Sequence, residues 1–164
     1  SQVNALPGEL FEFTADVRSN TRRSFKPQLD NAGQIKGTTL QYMLKLKIGC
    51  QVMLTWNIDV CDSLTNGALG QVIDLKRDSN GNVKYVTVKF ADPSCGKERR
   101  QQFNFEKDYP GENATAIERM ELDFTLRKKS TATATAINFP LRLAYGSTAH
   151  KIQGHTVKKP NNLV

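Results

Sequence analysis

"LKLKIGCQVMLTWNIDVCDSLTNGALGQVIDL", Leu44 to Leu75, is the stretch on which the fold turns. Leu44, Leu46 and Ile48 alternate with Lys45 and Lys47, the period of a strand with one buried face. Gly49 interrupts the run where a bend or bulge separates two strands, and Val52 and Leu54 resume it. Asn66-Gly67 supplies the positive-φ tolerance of a tight turn. Gly70 then sits in a strand rising through Val72, Ile73 and Leu75. A second turn at Asn80-Gly81 leads into another strand. That strand has Val83, Tyr85, Thr87 and Lys89 on one face and Val86, Val88 and Phe90 on the other.

The flanks add to this pattern. Leu6 to Val17 reads as one strand after a Pro-Gly turn, and 18–39 as a polar loop with room for one helical turn. Gln101 to Phe105 is a short strand candidate, and Ile117 to Leu126 and Ala134 to Tyr145 supply two more strands. Only the residues beyond Gly146 read as helical. Short strands at regular spacing, punctuated by turn signals, predict a mainly β chain built around a small antiparallel barrel.

Composition narrows the function. The 164 residues suit one domain, or a small domain with a piece of another. Lys and Arg number 23 against 16 Asp and Glu, a formal charge of +7 that favours polyanions, nucleic acid ahead of an acidic membrane. Cys50, Cys61 and Cys95 are odd in number, form no C-x-x-C pair and lie far from His150 and His155. That pattern argues against a disulfide framework or a zinc site and for reduced, intracellular thiols. No apolar run approaches the roughly 18 residues of a membrane helix. The N-terminus lacks a charged-then-apolar signal pattern.

Several chemistries fail on their residues. A phosphate-binding G-x-x-x-x-G-K-[ST] loop is absent: around Gly96-Lys97, Ala91 replaces the first glycine and Glu98 the hydroxyl residue. Tyr145 to His150, "YGSTAH", lacks the second glycine of a G-x-S-x-G nucleophile turn. Glu118, Glu121 and Asp123 alternate with apolar residues as a solvated strand face does. The charge runs Lys97 to Arg100 and Arg127 to Lys129 can grip phosphates or simply meet solvent. Trp56, in an apolar β segment, fits the core better than a base-stacking role.

"PLRLAYGSTAHKIQGHTV", Pro140 to Val157, behaves differently. Ser147 or Thr148 can cap a helix that starts directly after a strand, and Gly154 can end it about two turns later. Such a helix start exposes free N–H groups to an anion. Thr148, His150 and Lys151 add a hydroxyl, an imidazole and an ammonium suited to a nucleic-acid phosphate, with Gln153 and Gly154 at the other end. An ordinary capped surface helix is the alternative on physical grounds.

Thr148 to Thr156, "TAHKIQGHT", preceded by "FPLRLAYG", resembles motif V of superfamily 1 DNA helicases of the Pif/RecD type. Leu44 to Leu75 is similar to the same family's L-x-L-K-x-G-x-x-V-M-L-x-x-N…L-x-N-G-x-x-G-x-V block, in the family's order. Leu6 to Val17 is similar to the segment before it.

The resemblance implies an SH3-like β-barrel at residues 38–135, inserted in a RecA-like α/β domain whose parts are 1–37 and 136–164. It implies that Thr148, His150 and Lys151 meet single-stranded DNA, and that Gln153 and Gly154 face an ATP cleft. The family's phosphate loop, Asp-Glu metal motif and C-terminal arginine motif are missing. The expectation is therefore a C-terminal fragment of an ATP-dependent 5′-to-3′ DNA helicase. ATP and Mg2+ would belong to the full-length parent, and the partners would be single-stranded DNA and the rest of the helicase core, without a membrane. The expected compartment is the nucleus or mitochondrion in a eukaryote, and otherwise the cytoplasm. The competing expectation is a non-catalytic basic SH3-like module for nucleic acid or protein.

Overall fold

The structure, a computed structural model, describes residues 6–20, 26–103, 105–126 and 131–144. Ten strands and two short helices lie among these residues, and every pairing between the strands is antiparallel. β1 (Phe11–Thr14) pairs with β3 (Met43–Leu46). A five-stranded sheet runs in the order β10 (Leu141–Leu143), β4 (Gln51–Leu54), β5 (Leu69–Arg77), β6 (Val83–Phe90), β7 (Ala114–Glu118). A third sheet places β9 (Thr133–Asn138) between β2 (Asp16–Ser19) and β8 (Met120–Thr125). The hydrogen bonding of the described residues thus makes three sheets rather than one closed ring.

The mainly β reading holds, and so do both turns. Gly67 at φ 98° donates its N–H to the Leu54 carbonyl, and Asn66 donates to the Asn57 side-chain oxygen. Gly81 at φ 84° closes the β5–β6 hairpin, where the Asp78 carboxylate accepts the N–H groups of Asn80 and Asn82. Gly70 must be glycine for packing. A Cβ there would lie 2.5 Å from Val88 Cγ1 and 2.9 Å from the Lys89 carbonyl.

Three segments that read as single strands are each two strands in different sheets. The first breaks at Ala15, whose N–H leaves the ladder for the Tyr42 carbonyl. The second breaks at Arg119, between β7 and β8. The third breaks at Phe139-Pro140, where proline cannot donate to a ladder. Each break lets the chain pass from one sheet to the next while both halves keep strand character.

These crossings define two apolar cores. The larger contains Leu46, Leu54, Leu64, Val86, Phe139 and Leu141. The smaller contains Ala15, Ile35, Leu40, Phe124, Ala134 and Ala136. Ile35 comes from the stretch that read as polar loop, and Leu40 follows it directly. Both are fully buried, fixed by the Asp30 carboxylate accepting the N–H groups of Ala32 and Gln34 and by the N–H of Ile35 donating to the Leu40 carbonyl. No helical turn forms within 26–39.

Two expectations need correction. Gln101 to Phe105 is not a strand: α1 (Lys97–Gln102) and α2 (Phe105–Asp108) occupy this region, so helix is not confined to the residues beyond Gly146. Lys97 to Gln102 is made of good helix formers, and a distant residue supplies its cap. The alternation through Leu46 also does not extend to Lys47 and Ile48. The turn at Gly49, φ 96°, buries Lys47, whose ammonium donates to the Leu6 carbonyl, and leaves Ile48 52% exposed.

Candidate nucleic-acid interface

The five residues expected to meet DNA and ATP, Thr148, His150, Lys151, Gln153 and Gly154, lie outside the described residues, as does Arg127 to Lys129. The described chain reaches Ala144, directly after β10. What it brings up to that point can therefore be built from residues.

Among the described residues β10 is an edge strand. Its register opposite β4 sets Leu141 against Leu54, Arg142 against Met53 and Leu143 against Val52. Leu141 and Leu54 are fully buried, so alternation turns Arg142 to the outer face. β3 is the edge strand facing it, with Leu44 and Leu46 inward and Met43 and Lys45 outward. Between the two edges lies a groove of about 240 Å³ lined by Ala32, Gln41, Met43, Lys45, Arg142 and Leu143, with Leu44 at its floor.

The dense charge run at Lys97 to Arg100 has another use. The Arg99 Nε donates to the Ala116 carbonyl at 2.6 Å. The Arg100 guanidinium donates to the Cys95 carbonyl at 2.7 Å and the Pro93 carbonyl at 2.8 Å. Both arginines bind the chain to itself. Gly96-Lys97, the near match to a phosphate loop, does not fit a nucleotide. The first-turn N–H groups of Glu98 and Arg99 already donate to the two carboxylate oxygens of buried Asp62, at 2.9 and 3.0 Å.

Arg119 is also structural. Its guanidinium lies 4.4 Å from the Phe139 ring centre and donates to the Val83 carbonyl at 2.5 Å. Burial holds its pKa below the ordinary value, and Asp78 partly offsets this. Glu118, Glu121 and Asp123 are exposed, as expected of a solvated face. Trp56 departs from its core reading and is 39% exposed. β4 ends at Leu54, so the alternation that would have turned Trp56 inward no longer applies.

Cys50, Cys61 and Cys95 are free thiols, and burial pushes Cys50 and Cys95 above the ordinary thiol value. Among the described residues no three His, Cys, Asp or Glu side chains gather as a metal site. Among them, too, no helix is long and apolar enough to cross a membrane. Sequence reasoning passed over Arg142 and Lys45 because each stands singly, flanked by leucines, without the clustering that marks a charge run.

Comparison with known proteins defines the class. Residues 34–75 match the family model described as the 2B domain of DNA helicase Pif1. The ATP-dependent DNA helicase PIF1 of Danio rerio is 33% identical over 115 residues, which cover 70% of this chain and 14% of the relative. The crystal structure of Pif1 helicase from Candida albicans aligns at a TM-score of 0.57 and 25% identity, over 93% of this chain and 33% of that one. Bacteroides Pif1 bound to single-stranded DNA aligns at 0.52 and 20% identity over 93% of this chain and 29% of that one, a likeness of fold.

These likenesses support a Pif1-type fragment of the superfamily 1 helicases, with residues 34–75 matching the 2B domain, and the chain spans about 14% of the length of the Danio rerio relative.

Proposed function

We propose that this chain supplies part of the single-strand tracking and ATP-coupling surface of a 5′-to-3′ DNA helicase. The observation that carries the reading is the match of residues 34–75 to the Pif1 2B domain, followed in order by the motif-V-like Thr148 to Thr156. In this reading residues 38–135 form an SH3-like barrel inserted in a RecA-like domain made of 1–37 and 136–164. Thr148, His150 and Lys151 hold the DNA backbone, and Gln153 and Gly154 relay the state of the nucleotide.

ATP and Mg2+ belong to the rest of the helicase core. The fit of Asp62 into the Gly96 helix start supports assigning nucleotide binding elsewhere. The parent's compartment would be one that holds DNA, the nucleus or a mitochondrion in a eukaryote.

Salt-dependent binding of the 164-residue chain to a single-stranded DNA oligonucleotide tests the reading, with RNA and a non-nucleic polyanion as comparators. Lys151→Ala is expected to weaken binding and lower the salt slope by about 0.7 to 1. Unchanged affinity and slope in K151A remove Lys151 from the interface. Equal affinity for all three polymers would favour a non-catalytic basic module instead.

A further inference from the structure

Six arginines fall among the described residues, and five of them are engaged. Arg18 pairs with Asp16, and Arg77 with Glu9 and the Gly81 carbonyl. Arg99, Arg100 and Arg119 donate to backbone carbonyls. Arg142 has no hydrogen-bond or ion-pair partner among the described residues, although it is half-buried and its backbone is fixed by the pairing of β10 with β4. A guanidinium carries five N–H donors in a rigid fork, and leaving them unmet in a partly desolvated place is costly.

Lys45 stands on the other rim of the same groove, exposed and likewise without a partner among the described residues. Its cross-strand neighbour Glu12 makes no ion pair with it. Among the described residues no carboxylate lines the groove between the two cations; Gln41 contributes an amide and Met43 an apolar surface. A cleft with positive charge on both rims and no carboxylate among its described lining residues fits a phosphodiester. Arg142 would take two of its oxygens as a fork, Lys45 would act as a point charge, and Met43 would lie against a sugar.

We propose that the groove between β3 and β10 is a phosphate subsite for single-stranded nucleic acid, held by Arg142 and Lys45. The subsite rests on the DNA-tracking reading above and extends it to residues that reading does not use. The contact is to backbone, so it adds affinity and salt dependence rather than base preference.

Binding of a fluorescent oligothymidylate to the 164-residue chain across a salt series tests it, in wild type, K45A, R142A, the double variant, R142K and K151A. Each single alanine is expected to lower the slope by about 0.7 and the double by about 1.4. R142K is expected to keep the slope and bind more weakly, because charge survives and the fork does not. A double variant with wild-type slope and affinity, beside a K151A that loses both, overturns the subsite and leaves the tracking reading standing. If K151A and the double variant both match wild type, the two fall together. A drop in melting temperature for R142A without a change in slope marks a structural arginine and also overturns the subsite. So does polyglutamate competing as well as the oligonucleotide.

Discussion

α1 and the groove between β3 and β10 carry the same kind of cation and use it in opposite ways. In α1, Arg99 and Arg100 sit in a run of four charged residues, yet their donors close on the carbonyls of Ala116, Cys95 and Pro93. In the groove, Arg142 and Lys45 stand apart in sequence, and tertiary structure brings them to one cleft without giving them partners among the described residues. The density of charge in a sequence therefore says little about its availability. An arginine already bonded to a carbonyl must break that bond before it can meet a phosphate, whereas an unengaged one need only shed water.

The comparison breaks most visibly if α1 is not structural. Replacing Arg99 and Arg100 together by alanine is expected to cost roughly 2–4 kcal/mol, measured by urea unfolding, because the part-buried carbonyls of Ala116 and Cys95 lose charged donors. The salt slope of DNA binding in the same variant should stay at the wild-type value. A lowered slope would return these arginines to the interface.

Gly96→Ala comes next, at about 1–3 kcal/mol. Gly96 sits at φ 76°, and a Cβ would approach the Thr115 side chain to 2.5 Å. Asp62→Ala is expected to cost about 0.5–2 kcal/mol through the loss of the cap on the N–H groups of Glu98 and Arg99. Helical signal should fall with it.

A pH scan sharpens the same region. Tyr109, just beyond α2, donates its hydroxyl to Asp74, and burial followed by that bond pushes its pKa from 10 up to about 12. The folded state thus holds the phenolic proton more tightly than the unfolded chain. The resulting stability is fully present below pH 10 and is lost as pH rises towards about 12. Unfolding midpoints measured from pH 9 to 12 should fall across that window in the wild type and more gently in Tyr109→Phe. Equal slopes in both would remove Tyr109 as the cause.

The smallest effect on stability belongs to the groove. Lys45→Ala and Arg142→Ala should each stay within about 0.5 kcal/mol of wild type, as expected for side chains with no partner among the described residues. Their effect should appear in the salt slope instead, which is the reverse of α1.

Much of the β architecture was legible. Leu44, Leu46, Val52 and Leu54 fall on the buried face that alternation assigns, and both Asn-Gly turns form where their φ tolerance places them. The sheet crossings at Ala15, Arg119 and Phe139-Pro140 were not legible, because a strand that changes partners keeps its period of two. α1 was missed because its cap, Asp62, lies 36 residues before Glu98. The expected DNA-contacting residues fall outside the described part of the chain. The cations of the neighbouring groove were overlooked because neither stands in a cluster.

The sequence by itself determined the strand periodicity, the turns and the likeness to a helicase family, since these rest on local alternation, backbone permission at glycine and ordered motifs. Tertiary structure alone decided which sheet each half-strand joins, and which cations are engaged and which are left open. A hydrogen bond between distant residues depends on where the fold places its acceptor, and local pattern carries no record of that distance.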